Sequence, residues 1–574
     1  MKQEFSVHWL EDIIREISNR KPEQITLATG KTPSGHVHLG ILREILICEA
    51  LRKKFTEKGK NVDFFLFLDD FDAAKRFPDY IDKQFQDEHL GKPFALIPCP
   101  EKNCGCESYS YHYGNELTST FQDFGIESKI IWSFELYQTK DMQEKIKIAL
   151  ENNNLIKKIL RKYILPTLDE EKQKSFIKMQ ETWMPAMVLC ENCNRIQKRS
   201  ADGTISPNRV LSYLKEEESV SYTCPVCGFS NIVPLSSGRI KLNWRVDWPA
   251  KWALFNTICE PAGKDHSVKG GAYDTGLEIC QKIYNYEGPV KVPYEWLRLG
   301  DQDMKTSKGI VFTPKNYLEI ADPEIYRMLI YRTNPMKHIS LRIEELPQYY
   351  DFFEKVENIF YGIEKLESKD EEEFMKYLYG LTKINKISDE RQPKISFNLL
   401  LFLTQIQNLL PLKRLYQKAL SWVDDENSLP TPEVFESLLQ RTSNWVDEVK
   451  KIVTLKYGEK QQDFVLNRLG IFSIPKDVNQ EVVNQLSPAE LSALKNFKNF
   501  LLTEVNLNSE VIQNEIFNIS KQMKDLPAKD LFKAFYLIIL GKPSGPRLGS
   551  FIMLLGKKWI LNRLQFLDNY KASS

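Results

Sequence analysis

The order of elements near the start of the chain constrains its fold most. Ile25-Thr26-Leu27-Ala28-Thr29 is a short apolar run that stops in a Gly/Pro/Ser turn, Gly30 to Gly35, and an apolar-periodic stretch then runs from about His38 to Phe55. That order reads as strand, turn and helix. Val62 to Leu68 is a second near-continuous apolar run closing on Asp69-Asp70, and Ile130-Ile131-Trp132 and Val292 to Leu299 are further candidate strands. Continuous apolar runs mark strands buried on both faces, so the first half is expected to form a mainly parallel, helix-covered α/β sheet. Ligands of such sheets bind beyond the strand ends.

The rest of the chain departs from that pattern twice. From residue 96 to 240 it is interrupted by clustered cysteines, polar turns and a helical stretch around Met142 to Tyr163, which reads as an insertion. After about residue 320 helix starts dominate: Asp322-Pro323-Glu324, Thr431-Pro432-Glu433 and Ser487-Pro488-Ala489-Glu490. In the last, Ser487 can cap, Pro488 suits the first helical position, and Glu490 can reach back to complete a capping box. A length of 574 residues fits three or four domains at about 150 residues each.

Charge leaves the partner open. Lys and Arg total 78 against 77 Asp and Glu, so any nucleic-acid surface must be a local patch. One such patch is the end of the chain, where Lys542, Arg547, Lys557, Lys558, Arg563 and Lys571 face only Asp568. No apolar run approaches the roughly 18 residues that span a bilayer, and Met1 to Ser6 lacks an apolar secretion core, so no membrane partner is expected. Seven of the ten cysteines lie in two tight groups, a pattern that favours metal over disulfides and a reducing, cytoplasmic compartment.

Cys190-x2-Cys193 and Cys224-x2-Cys227 are two knuckles of the kind that present four thiolates to one tetrahedral Zn²⁺. A closed four-sulfur site is structural, with no open position for catalysis. Cys99, Cys104, Cys106 and His112 supply three sulfurs and an imidazole within 14 residues, enough for a second closed zinc site. Cys48, Cys259 and Cys280 have no such neighbours and are expected in the core.

Thr32-Pro33-Ser34-Gly35-His36-Val37-His38-Leu39-Gly40 sits where the first strand gives way to a helix. Free N–H groups at a helix start favour an anion, Gly35 and Gly40 let the backbone come close, and His38 can donate to a phosphate oxygen. Near the end of the sheet pattern, Leu299-Gly300-Asp301-Gln302-Asp303-Met304-Lys305-Thr306-Ser307-Lys308-Gly309 is a polar loop with two lysines, the cations that a charged transition state at phosphorus needs.

Together, P-S-G-x-x-H-x-G and M-x-x-S-K-G resemble the two signatures, HIGH and KMSKS, of class I aminoacyl-tRNA synthetases. The strings Trp244 to Trp252, Cys259 to His266 and Gly270 to Gly276, with Asp69-Asp70-Phe71-Asp72 and Gly545-Pro546-Arg547-Leu548-Gly549, look like the class I lysyl-tRNA synthetases in particular. The resemblance implies ATP-dependent activation of lysine to lysyl-adenylate and transfer of lysyl to the 3′ end of tRNA(Lys), giving AMP and diphosphate, with Mg²⁺ on the nucleotide. It implies a Rossmann-type catalytic domain in two halves, 1–95 and 241–335, around a zinc-containing insertion, 96–240, followed by an all-helical anticodon-binding region, 336–574. His38 and Lys308 would be catalytic. Pro33, His36, His38, Gly40, Met304, Ser307 and Lys308 would bind ATP. Gly30, Thr32, Glu44, Trp244, His266 and Tyr273 would bind lysine.

Two positions depart from the signatures: Ile41 ends the first, and Asp303 stands where many relatives have the first lysine of the second. They keep open a noncatalytic zinc-stabilised RNA-binding paralogue, and because the two signatures specify adenylation but not the side chain, a class I synthetase for glutamate or one for arginine is a further alternative. The oligomeric state is left open, with a monomer favoured.

Overall fold

The computed structural model describes residues 7–200, 202–303, 311–392, 394–422, 430–523 and 526–569. It divides into two compact units. The first comprises residues up to Leu318, Asp322–Arg342 and Phe352–Asp389, and the second comprises Glu319–Ala321, Ile343–Asp351 and the residues from Glu390 onward.

At the centre of the first unit is a five-stranded sheet, every neighbouring pair parallel. Its strands in chain order are β1 (Ile25–Lys31), β2 (Val62–Leu68), β3 (Lys129–Trp132), β4 (Cys259–Gly263) and β5 (Val290–Tyr294). Across the sheet the order is β3-β2-β1-β4-β5. Chain order therefore reverses direction between β1 and β4, and a crevice at the carboxyl ends of those strands is where a doubly wound sheet binds its ligand. The Leu42–Glu57 helix follows β1 and is buried nearly all round, from Leu42 through Leu51. That burial takes in two charged residues of the same turn, Arg43 and Glu44. Arg43 is satisfied by donating to the carbonyl oxygens of Glu295 (2.5 Å), Pro335 (2.9 Å) and Lys337 (2.7 Å), which fixes the helix to the chain leaving β5.

Three expectations need correction. Residues 96–240 are not one insertion, because β3 lies within them and forms the edge of the central sheet beside β2. The zinc knuckles sit in a smaller antiparallel part, where Ala186–Val188 pairs with Ile240–Leu242 and Val210–Leu214, Ser219–Thr223 and Ser230–Pro234 form a meander. The compact division also falls at 389 rather than 335. The Lys369–Thr382 helix belongs to the first unit because Arg327, 1% exposed, donates to the carbonyls of Leu381 (3.1 Å), Thr382 (2.8 Å) and Phe124 (2.7 Å). Finally, Arg563 is no part of a basic face: it is buried, donating to the carbonyls of Ile538, Ile539 and Lys476.

The second unit is helical, apart from turns, and holds its own core. Leu494, Phe497, Ile512, Leu531, Phe535 and Phe551 are among its fully buried side chains. The helix starts read from sequence are present: Asp322, Thr431 and Ser487 each cap a helix, and Ser487 with Glu490 forms the reciprocal capping box. Among the described residues no helix is long and apolar enough to cross a membrane.

Candidate active site

A cavity of about 710 Å³ opens at the carboxyl ends of the sheet, in the first unit. Its walls come from the carboxyl ends of four strands: Thr29 to Thr32 at the end of β1, Asp69 and Asp72 after β2, Gly263, Asp265 and His266 around the end of β4, and Tyr294 and Trp296 at the end of β5. The site is thus built by strand order, since residues more than 260 positions apart meet only because β1 is central.

Glu44 projects into this cavity from the Leu42–Glu57 helix. The Tyr294 hydroxyl donates to its carboxylate. Burial pushes the Glu44 carboxyl up to about 7 against the hydrogen bond of Tyr294 and the charge of Lys31. A second carboxylate, Glu260 on β4, accepts from the indole N–H groups of Trp248 (2.8 Å) and Trp252 (2.6 Å). It too is pushed to about 7, by burial first and by the Glu44 charge among the lesser causes. Two desolvated carboxylates facing one cavity make a site for a cation. Trp244, Trp248 and His266 stand together along the wall, with ring centroids 5.7 Å apart for Trp244 and His266 and 6.0 Å for Trp248 and His266.

Beneath these lies a closed ion network. Lys251, 4% exposed, bonds Asp69 at 2.5 Å, Asp247 at 3.0 Å and the Ser133 hydroxyl at 3.0 Å. Lys241, 3% exposed, bonds Asp72 at 3.0 Å, and Asp72 accepts from the Thr32 hydroxyl at 3.0 Å. The Tyr137 hydroxyl donates to Asp247 at 2.6 Å. Asp247 is therefore an ion-pair partner that holds the floor of the cavity.

The first signature forms the turn after β1. His38 precedes a short 3₁₀ turn, Leu39–Ile41, that runs into the buried helix. The Leu39 N–H donates to Phe312 (2.7 Å), and its carbonyl accepts from the Tyr326 hydroxyl (3.0 Å). His38 Nδ1 is buried without a hydrogen-bond partner. Burial and the nearby Lys31 charge push its imidazole down to about 4, so at neutral pH the ring is uncharged. His36 is engaged elsewhere, its ring 2.9 Å from Glu116 and its backbone N–H donating to Tyr80.

Of the residues expected to bind lysine, Gly30, Thr32, Glu44, Trp244 and His266 all line the cavity. Tyr273 does not. It lies on the Ala272–Tyr284 helix, 0% exposed under Trp248 and Trp252, with its hydroxyl donating to the backbone carbonyls of Glu260 and Val290. Tyr294 stands in the cavity instead. Of the expected nucleotide contacts, Pro33, His36, His38 and Gly40 follow the turn beside the cavity without lining it, whereas Ile41 lines it. Met304, Ser307 and Lys308 lie outside the described residues.

The Cys190, Cys193, Cys224 and Cys227 sulfurs all lie within 4.8 Å of one another. Cys190 to Cys227 is 3.6 Å and Cys193 to Cys224 is 3.7 Å. Those separations match the roughly 3.8 Å edge of a tetrahedron whose metal–sulfur bonds are about 2.3 Å, so the set fits zinc. The two knuckles fold alike. The Cys190 N–H donates to Arg195 and its carbonyl accepts from Asn194; Cys224 is bonded likewise to Phe229 and Gly228. The tight return places Asn194 (φ 51°) and Gly228 (φ 73°) in the left-handed region. In the other cluster Cys99, Cys104 and His112 converge within 4.8 Å. Cys106 is not in that group and donates its backbone N–H to Cys104 Sγ at 3.3 Å.

Comparison with known proteins agrees with this architecture. Residues 7–385 match the family model of tRNA synthetases class I (K), and residues 415–567 match that of an anticodon binding domain. The lysine–tRNA ligase of Methanocaldococcus jannaschii is 32% identical over 582 residues, covering 98% of this chain and 100% of that one. The chain belongs to the class I lysyl-tRNA synthetases. The lysine–tRNA ligases of Methanococcus maripaludis and Thermococcus kodakarensis are each 30% identical, covering 98% and 97% of this synthetase and 100% and 99% of theirs. The family model ends at residue 385, close to the structural division of the synthetase at 389.

Proposed function

We propose that the chain activates L-lysine with ATP to lysyl-adenylate and transfers the lysyl group to the 3′ end of tRNA(Lys). The observation that carries this reading is Glu44: a desolvated carboxylate, hydrogen-bonded by Tyr294, at the crevice between β1 and β4. The substrate ammonium meets that carboxylate, and its aliphatic stem lies along Trp244, Trp248 and His266. A glutamate substrate would add a third carboxylate beside Glu44 and Glu260, which argues against that alternative.

The ATP phosphates lie at the helix start after β1, where N–H groups and neutral His38 donate to them. Mg²⁺ carried on the nucleotide would supply further positive charge to its phosphates. A carboxylate oxygen of lysine bonds to the α-phosphorus as the α,β-bridging bond breaks, its electron pair leaving with diphosphate. The nucleophile is already ionised, so the protein's work is positioning and charge stabilisation rather than proton removal. Lys308 supplies part of that charge from the second signature. The second unit reads the anticodon. Zinc holds the knuckles and, in the Cys99 cluster, a second site. Cysteines grouped as metal ligands rather than as disulfide pairs support a reducing cytoplasm.

ATP–diphosphate exchange with lysine, glutamate and arginine in turn, each with and without tRNA, tests this. Exchange with lysine alone is expected. Exchange with arginine alone would transfer the reading to that amino acid, and none with any of the three would favour a noncatalytic RNA-binding protein.

A further inference from the structure

Three lysines of the cavity wall are buried or partly buried: Lys31, Lys241 and Lys251. Two are neutralised in place, Lys251 by Asp69 and Asp247 and Lys241 by Asp72. Lys31 differs. It ends β1, and its side chain has no hydrogen-bond or ion-pair partner among the described residues. Burial pushes its ammonium below the usual lysine range, with the Glu44 charge pushing back, and its own charge is felt at His38. An unpaired, desolvated ammonium costs stability unless something in use offsets it.

Its neighbours say what that is. Glu44 takes the substrate ammonium on one side and the His38 turn takes the phosphates on the other, so the substrate carboxylate and the α-phosphate fall between them, where both are anionic. We propose that Lys31 is a catalytic cation of the activation step, contacting the lysine carboxylate and the α-phosphate and holding the negative charge that grows on the α-phosphoryl oxygens. No proton moves: the carboxylate–phosphorus bond forms, the bond to diphosphate breaks, and Lys31 stays protonated throughout. The proposal rests on the lysine-activation reading. It adds a charge fixed on the sheet itself, independent of the second-signature loop.

Lys31→Met keeps the stem and removes the charge. Lysine-dependent exchange should fall in kcat by about 100-fold, the scale of losing one preorganised charge-stabilising donor. Lysyl-sulfamoyl adenosine, whose charged sulfamate stands where the phosphate would, should bind at least about tenfold more weakly by calorimetry, as expected for a lost charge-assisted contact. The melting temperature should not fall, since a buried unpaired charge has gone; Lys31→Gln serves as the second variant should the first prove insoluble. Lys31→Arg should recover most of the exchange. Exchange in Lys31→Met within about threefold of the unaltered chain, well short of one donor's share, would overturn the role. So would a defect confined to the KM for lysine with analogue binding intact, which would make Lys31 only a counter-charge to Glu44. No lysine-dependent exchange in the unaltered chain would instead sink the lysine reading on which the proposal stands.

Discussion

Glu44 is held in a state its ligand can change. Burial pushes its carboxyl to about 7, well above the ordinary value of an unfolded glutamate. A group raised in the folded state favours folding below its unfolded pKa, and that advantage is lost as pH rises through 7. Above pH 7 the empty protein therefore carries an ionised, desolvated carboxylate, which the substrate ammonium would neutralise. Lysine should raise the melting temperature more at pH 8 than at pH 6, by thermal shift at fixed lysine. Glu44→Gln should abolish that protection and cost kcat/KM for lysine about 3 kcal/mol, on the order of 100-fold, as removal of one partner of a buried charge pair does. Equal protection at both pH values would contradict the assignment. Glu44 was legible as a candidate from resemblance, but its partner was not. Tyr273 and Tyr294 are both tyrosines of the same stretch, and choosing between them requires knowing that β5 lies beside β4 and ends at the crevice, while Tyr273 faces inward beneath Trp252. That is a fact of sheet order, which residue type and spacing do not encode.

At the scale of elements the sequence was most readable where local chemistry decides. The apolar run, turn and buried helix from Ile25 to Glu57, the capping box at Ser487 and each Cys-x2-Cys knuckle by itself all depend on residues within a few positions of one another. The strand at Ile130-Ile131-Trp132 was also legible, but not that it forms the sheet edge inside the span read as an insertion, because that place is settled by pairing with β2 rather than by its own pattern. The knuckles and the Cys99 cluster give opposite expectations for single substitutions. Cys224→Ser breaks a closed four-sulfur set, and should lower bound zinc by one equivalent by elemental analysis and the melting temperature by on the order of 10 °C, since structural zinc contributes directly to folding. Cys106→Ser should leave zinc content unchanged, because its sulfur is outside the converging donors. Loss of an equivalent on replacing Cys106 would instead restore the four-ligand set expected from spacing.

For the whole molecule, every residue lining the cavity lies between Thr29 and Trp296, inside the first unit, while the second unit has a core of its own and the match to an anticodon binding domain. Activation and tRNA reading are thus carried by separately packed parts of one chain. A fragment ending at Asp389 contains the central sheet, the knuckles and the Lys369–Thr382 helix that Arg327 holds in place. It also retains Glu319–Ala321 and Ile343–Asp351 without the unit in which they pack, so its melting temperature should lie below that of the full chain. The fragment should still catalyse lysine-dependent ATP–diphosphate exchange within about tenfold of the full chain, because no group that meets lysine has been removed. Charging of tRNA should fall much further, since the contacts that position the anticodon are gone while the acceptor end must find the adenylate unaided. Loss of exchange in a folded fragment would show that the helical unit shapes the activation site itself, and retention of full tRNA charging would show that recognition resides in the first unit.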